Sequence, residues 1–208
     1  MRQSLALLAL LATLGGCDEL RQRPASPPAG LDAGGDPIRG GPEALVRAFG
    51  DRGRGLNGRP AEMALALARL EYITDALERD RALAPVPQGV RFEMIGARRE
   101  TRAALGMAET VPPARAVAAL LATSRALQQG DDAAANAAIS PVVTPGGLPP
   151  LGRLADMGGL PQAAMATTAL RDEIERLDLE RGWSAVSVPN VAGFGGMTTS
   201  GLGGNTDR

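Results

Sequence analysis

The chain has no histidine and no lysine, and it has a single cysteine. Each absence removes a class of chemistry. Without histidine, the side chain best poised for proton transfer near neutral pH is missing. Without lysine there is no Schiff base, no phosphate-binding lysine of the Walker kind and no Ser-Lys dyad. One cysteine makes no intramolecular disulfide, and with no histidine beside it there is no ordinary zinc site. Aromatics are as scarce, with 1 Trp, 1 Tyr and 3 Phe. Stability must therefore come from helix packing by small and aliphatic side chains.

Charge excludes more. All 22 basic residues are arginine, against 23 acidic ones, for a formal net charge of −1. That is no electrostatic footprint for nucleic acid, which calls for a strongly basic face. Arginine without lysine, together with abundant Ala, Gly and Pro, reflects a GC-rich genome and carries no function.

What is present begins at the N-terminus. Arg2 is followed by an apolar run from Leu5 to Leu14, and Leu14-Gly15-Gly16-Cys17 closes it. Ten residues of helix reach only about 15 Å, half the thickness of a bilayer core. A positive start, a short apolar run and small residues before a cut site describe an exported, cleaved segment. The stretch resembles the signal sequence of bacterial lipoproteins, with Leu14-Gly15-Gly16-Cys17 as the lipobox. The resemblance covers Met1 to about Glu19. It implies cleavage before Cys17, a diacylglycerol on the Cys17 sulfur and acylation of its amine, giving a lipid-anchored protein facing the periplasm. Several acyl chains anchor durably, whereas one is marginal. In enterobacterial lipoproteins an Asp after the lipidated cysteine retains the protein in the inner membrane, so Asp18 leans that way, with the outer membrane left open. Removing residues 1–16 removes Arg2 and leaves 21 minus 23, or −2.

Residues 17–41 are rich in Pro, Gly and polar side chains and show no period, so they are expected to be a flexible linker after the lipidated cysteine. Fully extended, residues 18–41 reach roughly 80 Å, at about 3.3–3.6 Å each. From Pro42 to residue 183 the pattern is helical throughout. Pro42–Phe49 reads as a short helix stopped by Gly50. Residues 60–83 carry Met63, Leu67, Leu70, Thr74 and Leu77 on one face. Val90, Met94, Ala97, Thr101 and Ala104 mark a helix over 89–105, ended by Gly106. Val117, Leu120, Leu121, Ser124 and Leu127 mark another over 113–129. Asp131 or Asp132 caps a short helix to Ile139. This last pair is similar to tetratricopeptide-type helical pairs, but no repeat of fixed period follows. After a Pro/Gly-rich crossing with one turn near 151–157, Ala163, Thr167, Leu170, Ile174 and Leu177 mark a helix over 161–181. Residues 184–208 are expected to be a flexible, Gly-rich tail. The fold class is all-α, a small bundle of about five helices.

Candidate sites are few. Gly53-Arg54-Gly55-Leu56-Asn57-Gly58 matches G-x-G-x-x-G, but a dinucleotide site needs a preceding strand in a βαβ unit, and none is visible. A loop is expected there, with Arg52, Arg54 and Arg59 available for weak contact with anions such as phospholipid headgroups. Gly195-Gly196-Met197-Thr198-Thr199-Ser200 lacks the lysine and the helix of a phosphate loop. Glu71, Asp75 and Glu78, and Asp172, Glu173 and Glu175, are read as solvated helix faces. Arg98, Arg99 and Arg102 on one helix, and Trp183, are the candidate partner contacts; the arginines can instead pair with the acidic face of the last helix or face water, and packing over the end of the bundle is the favoured reading of Trp183. No catalytic residue, metal or cofactor is expected. The reading is a membrane-anchored, non-enzymatic scaffold or protein-interaction module of the cell envelope. An envelope hydrolase would instead show two carboxylates facing across a cleft, and a lipid or small-ligand carrier an apolar cavity between helices.

Overall fold

The computed structural model of the protein describes residues 27–31 and 37–184. The expected signal peptide, Cys17 and the 184–208 tail fall outside these residues, apart from the backbone of Ser184.

Seven helices make the described fold, which is all-α. Helix α1 is Pro37–Phe49, α2 Pro60–Arg79, α3 Gln88–Leu105, α4 Pro113–Gln128, α5 Asp132–Ile139, α6 Pro150–Ala155 and α7 Pro161–Leu179. Five of them, α1, α2, α4, α6 and α7, open with Pro in the first turn, where its missing amide costs nothing and its fixed φ is already helical. The chain turns at Gly106 after α3, in the left-handed conformation with φ 77°, and Asp131 caps α5 by accepting from the Ala134 amide at 2.8 Å. Among the described residues, β-pairing is limited to one bridge between Met107 and Val143.

Most of the periodic residues meet where expected, although Val90 and Ala104 of α3 and Leu127 of α4 are only half-buried. Met63, Leu67, Leu70, Thr74 and Leu77 of α2, Val117, Leu120 and Leu121 of α4, and Ala163, Thr167, Leu170, Ile174 and Leu177 of α7 are all buried. Helix α2 is central: it packs against α1, α3, α4 and α6. Ala64 and Ala68 of α2, Ala116 of α4 and Ala163 and Ala166 of α7 are fully covered. Side chains of this size let helix axes approach closely, which is how a core so poor in aromatics closes.

Two boundaries differ from the expectation. Helix α1 begins at Pro37, so Pro42 lies inside it. Leu31 is only 1 % exposed and belongs to the core. The expected linker over 17–41 therefore overlaps the folded domain at its C-terminal end. The physical reason is tertiary. Pro37, Gly41, Leu45 and Phe49 recur every four residues and are all buried, and a Cβ on Gly41 would stand 2.6 Å from Ile73 Cδ1. Glycine there permits the approach of α1 to α2, and that packing outweighs the weak helix propensity of Gly40-Gly41-Pro42.

Candidate functional site: a groove between the first and last helices

Helices α1 and α7 run antiparallel. Arg39 near the start of α1 lies against Asp178 near the end of α7, at 3.5 Å, while at the other end Leu160, just before α7, donates its amide to the Arg52 carbonyl just after α1. Between the helices runs an open groove of about 320 Å³. Pro42, Ile174 and Leu179 form its apolar part, and Arg39, Glu43, Arg171, Glu175 and Asp178 its charged rim. Leu179 is 79 % exposed. Trp183 adjoins the groove through two of its lining residues: its Nε1 donates to Asp178 Oδ1 at 2.6 Å, the Arg39 guanidinium stands 5.7 Å from its ring centroid, and its body packs against the core.

The rim charges are not equally occupied. Arg171 bonds Asp172 at 2.6 Å, and that hydrogen bond, with the Asp172 charge, raises its pKa above the ordinary arginine value. Arg39 is shared between Asp178 and Trp183. Glu43 faces Arg47 one turn on, at 3.9 Å. Glu175 makes no ion pair among the described residues, so a carboxylate is left on the rim.

The expected contact residues divide. Arg102 is buried, and it is corrected from a surface contact to a structural residue. Its Nε and Nη2 form a two-pronged pair with Glu71 at 2.5 and 2.8 Å. Its Nη1 donates to the carbonyls of Glu109 and Val111, both at 2.9 Å. Arg98 Nη1 stands 2.9 Å from Glu78 Oε2, near enough for an ion pair but off line for a hydrogen bond. Arg99 is exposed and 3.6 Å from Glu109. The three arginines and Trp183 do not form one patch. Glu100, the neighbour of Arg99, accepts the amides of Gln162 and Ala163 at 3.1 and 2.8 Å and so sits at the start of α7. Trp183 lies beyond its end, 19 helical residues away, or about 28 Å at 1.5 Å per residue.

Apart from Glu175, the carboxylates of the two clusters are held by arginine, and Glu71, expected on a solvated face, is buried. Glu71 pairs with Arg102, Asp75 with Arg79 at 2.9 Å, Glu78 with Arg98, and Glu173 with Arg176 at 2.6 Å. Arg176 also reaches Glu180, and these hydrogen bonds and charges raise its pKa. The G-x-G-x-x-G segment is a loop with a short 3₁₀ turn, Arg54–Leu56. The amides of Gly55, Leu56, Asn57, Gly58 and Arg59 all donate within the protein, so they form no phosphate cradle. Arg69 of α2 is half-buried, its Nε without a hydrogen-bond partner among the described residues; burial first, then the Arg47 charge, lowers its pKa.

Sequence reasoning missed Arg39, Glu43 and Asp178. No motif marks them, because the groove exists only once α1 extends back to Pro37. Among the described residues no group of three or more acidic or metal-ligating side chains is placed to hold a metal ion, and no helix is long and apolar enough to cross a membrane. Searches against protein-family models, curated proteins and solved structures find no match.

Proposed function

We propose that this protein is a lipid-anchored, periplasm-facing interaction module of the cell envelope, held to the membrane through Cys17, whose partner seats in the α1–α7 groove. The observation that carries the partner reading is the groove itself. An apolar floor with a 79 %-exposed leucine, a polar rim and an adjoining tryptophan have the make-up of a recognition surface. The unpaired Glu175 gives the occupant its chemistry: an envelope protein segment with an apolar side chain to cover Leu179 and a basic group to meet Glu175. The engagement of Glu71, Asp75, Glu78 and Glu173 by arginine favours this over carboxylate catalysis, which needs a free acid and a free base across a cleft. The close-packed Ala and Leu core favours it over a carrier.

The anchor is supported by the Leu14-Gly15-Gly16-Cys17 stretch alone. The mass of the mature N-terminus tests it: cleavage before Cys17 with attached acyl chains is expected, and Cys17→Ser abolishes both. A photo-reactive residue at position 179, with one at exposed Phe92 as a control face, tests the groove. A crosslink to one envelope protein from position 179, lost in Glu175→Arg and absent from position 92, is the expected result. Equal capture from both positions, or capture indifferent to Glu175→Arg, overturns it.

A further inference from the structure

We propose that the α1–α7 groove is regulated by the chain's own C-terminal tail, whose residues 185–191 occupy it until a partner displaces them. The inference rests on the groove reading and concerns what fills that site when no partner is bound. Past Leu179 the chain folds back on α7. Arg181 has a φ of +53°, a left-handed conformation that side-chain-bearing residues seldom adopt. Gly182 then lies against the helix, where a Cβ would stand 2.9 Å from Leu177 Cδ2, and Trp183 donates to Asp178, five residues back, at 2.6 Å. Asp178 and Arg39, the residues that hold the indole ring, both line the groove. The chain therefore leaves the described fold at Ser184, alongside the groove, with 208 minus 184, or 24, residues to follow.

The first of these match the groove in spacing. They read Ala185-Val186-Ser187-Val188-Pro189-Asn190-Val191. In extended chain Val186 and Val188 fall on one side, about 7 Å apart. Ile174 and Leu179, the aliphatic side chains of the groove, are five helical residues apart, about 7.5 Å along α7. A segment returning antiparallel to α7 sets Val186 at Leu179, which is 79 % exposed, and Val188 at Ile174. Four residues from Ser184 to Val188 reach at most about 14 Å. The groove runs along α7 from Leu179 to Arg171, about 12 Å of helix.

Charge and entry point select the tail over the other segments at hand. Residues 185–206 carry no charge, so they cover the apolar floor without setting a like charge beside Glu43, Glu175 or Asp178. The stretch leading into α1 carries Asp32 and Asp36, which those acids repel. The chain arriving from Cys17 enters elsewhere, against α4, where a Cβ on Gly30 would stand 3.9 Å from Leu121. A segment held by a short linker is present at an effective concentration on the order of mM. The same neutrality limits the tail. It leaves Glu175 unmatched, so a partner with a basic group gains a contact that the tail lacks and displaces it.

Arginines 176, 181 and 208 supply the test. A photo-reactive residue at position 179 of the purified chain from Cys17 to Arg208 is irradiated without partner. Trypsin, cutting after arginine, then releases residues 177–181 apart from residues 182–208. The expected product joins these two peptides, attached within 185–191, in a yield independent of protein concentration, and it is lost in Val186→Ser/Val188→Ser. Attachment at Trp183 alone, a yield that rises with concentration and so reports a second copy, or a product indifferent to the double substitution overturns the proposal. In cells the same substitution should raise capture of the envelope partner from position 179 by roughly two- to tenfold, the change expected when a groove half to nine-tenths occupied is freed. Unchanged or reduced capture overturns the regulation. Partner capture with no tail product removes the tail and leaves the groove reading. A tail product with no partner captured by either chain keeps the tail as occupant and removes the envelope partner.

Discussion

Arg102, Arg91 and Arg153 share a structural task. Each sets a guanidinium against carbonyls that the ends of helices and turns leave without partners. Arg91 collects Leu77, Leu83 and Val86 at 2.6–2.9 Å and so closes the turn between α2 and α3. Arg153 reaches from α6 to the carbonyls of Leu105, Thr144, Gly146 and Leu148, fastening the Pro-rich crossing to the end of α3. Arg102 bridges Glu71 to the Glu109 and Val111 carbonyls. A planar fork of five donors suits this, where a lysine's point charge would not. The two halves of the Glu71–Arg102 pair should therefore be unequal on mutation. Arg102→Met leaves a buried carboxylate and two carbonyls unpaired and is expected to cost about 3–5 kcal/mol. Glu71→Gln keeps an acceptor and leaves the arginine its carbonyls, so it should cost less. Urea unfolding of both variants measures the order, and a larger loss for Glu71→Gln would contradict it. Gly106→Ala is a second test at this scale. The added Cβ would lie 2.1 Å from Arg153 Nη1, at a φ of +77°. A loss of about 1–3 kcal/mol is expected from backbone strain and the displaced guanidinium, whereas Gly130→Ala, at φ +75° with open space around it, carries only the strain.

At the scale of elements, helix positions were legible because proline and glycine punctuate this chain so densely. Pro60, Pro113 and Pro161 fix three helix starts, and the three- and four-residue apolar steps fix their inner faces. The same rule misplaced α1. Pro42 reads as a first-turn proline, but the start at Pro37 is decided by Gly41 against Ile73 and by the burial of Leu31, contacts that are distant in sequence. The cap on α7 was illegible for a similar reason. Leu160 precedes that helix and offers no side-chain cap, and the acceptor is Glu100, more than sixty residues upstream. Its carboxylate takes two of the amides that the helix start leaves open and meets the positive end of the helix dipole. Glu100→Ala should cost about 1 kcal/mol, read as a lower urea midpoint with an unchanged slope. Glu100→Gln keeps an oxygen acceptor and should recover part of it. Equal losses in the two would assign the effect to charge alone.

For the whole molecule, the site was less legible than the fold. Motifs local in sequence, such as Leu14-Gly15-Gly16-Cys17, can be read directly, whereas a groove made by residues from Arg39 to Leu179 needs both ends of the domain in place. The same closure defines where the domain starts. A chain beginning at Pro42, the boundary that periodicity favours, would lack Leu31, Pro37 and Gly41, all of them buried. Burying one leucine contributes about 1.5–3 kcal/mol, and the first turn of α1 carries Arg39, the partner of Asp178 and Trp183. Chains running from residue 27 and from residue 42 should therefore differ. The shorter one should be less stable by several kcal/mol, with a lower urea midpoint, and should show altered Trp183 emission in the folded state, because Arg39 no longer stands over the ring. Equal midpoints and identical emission would return residues 27–41 to the role of a linker and remove the N-terminal end of α1 from the groove.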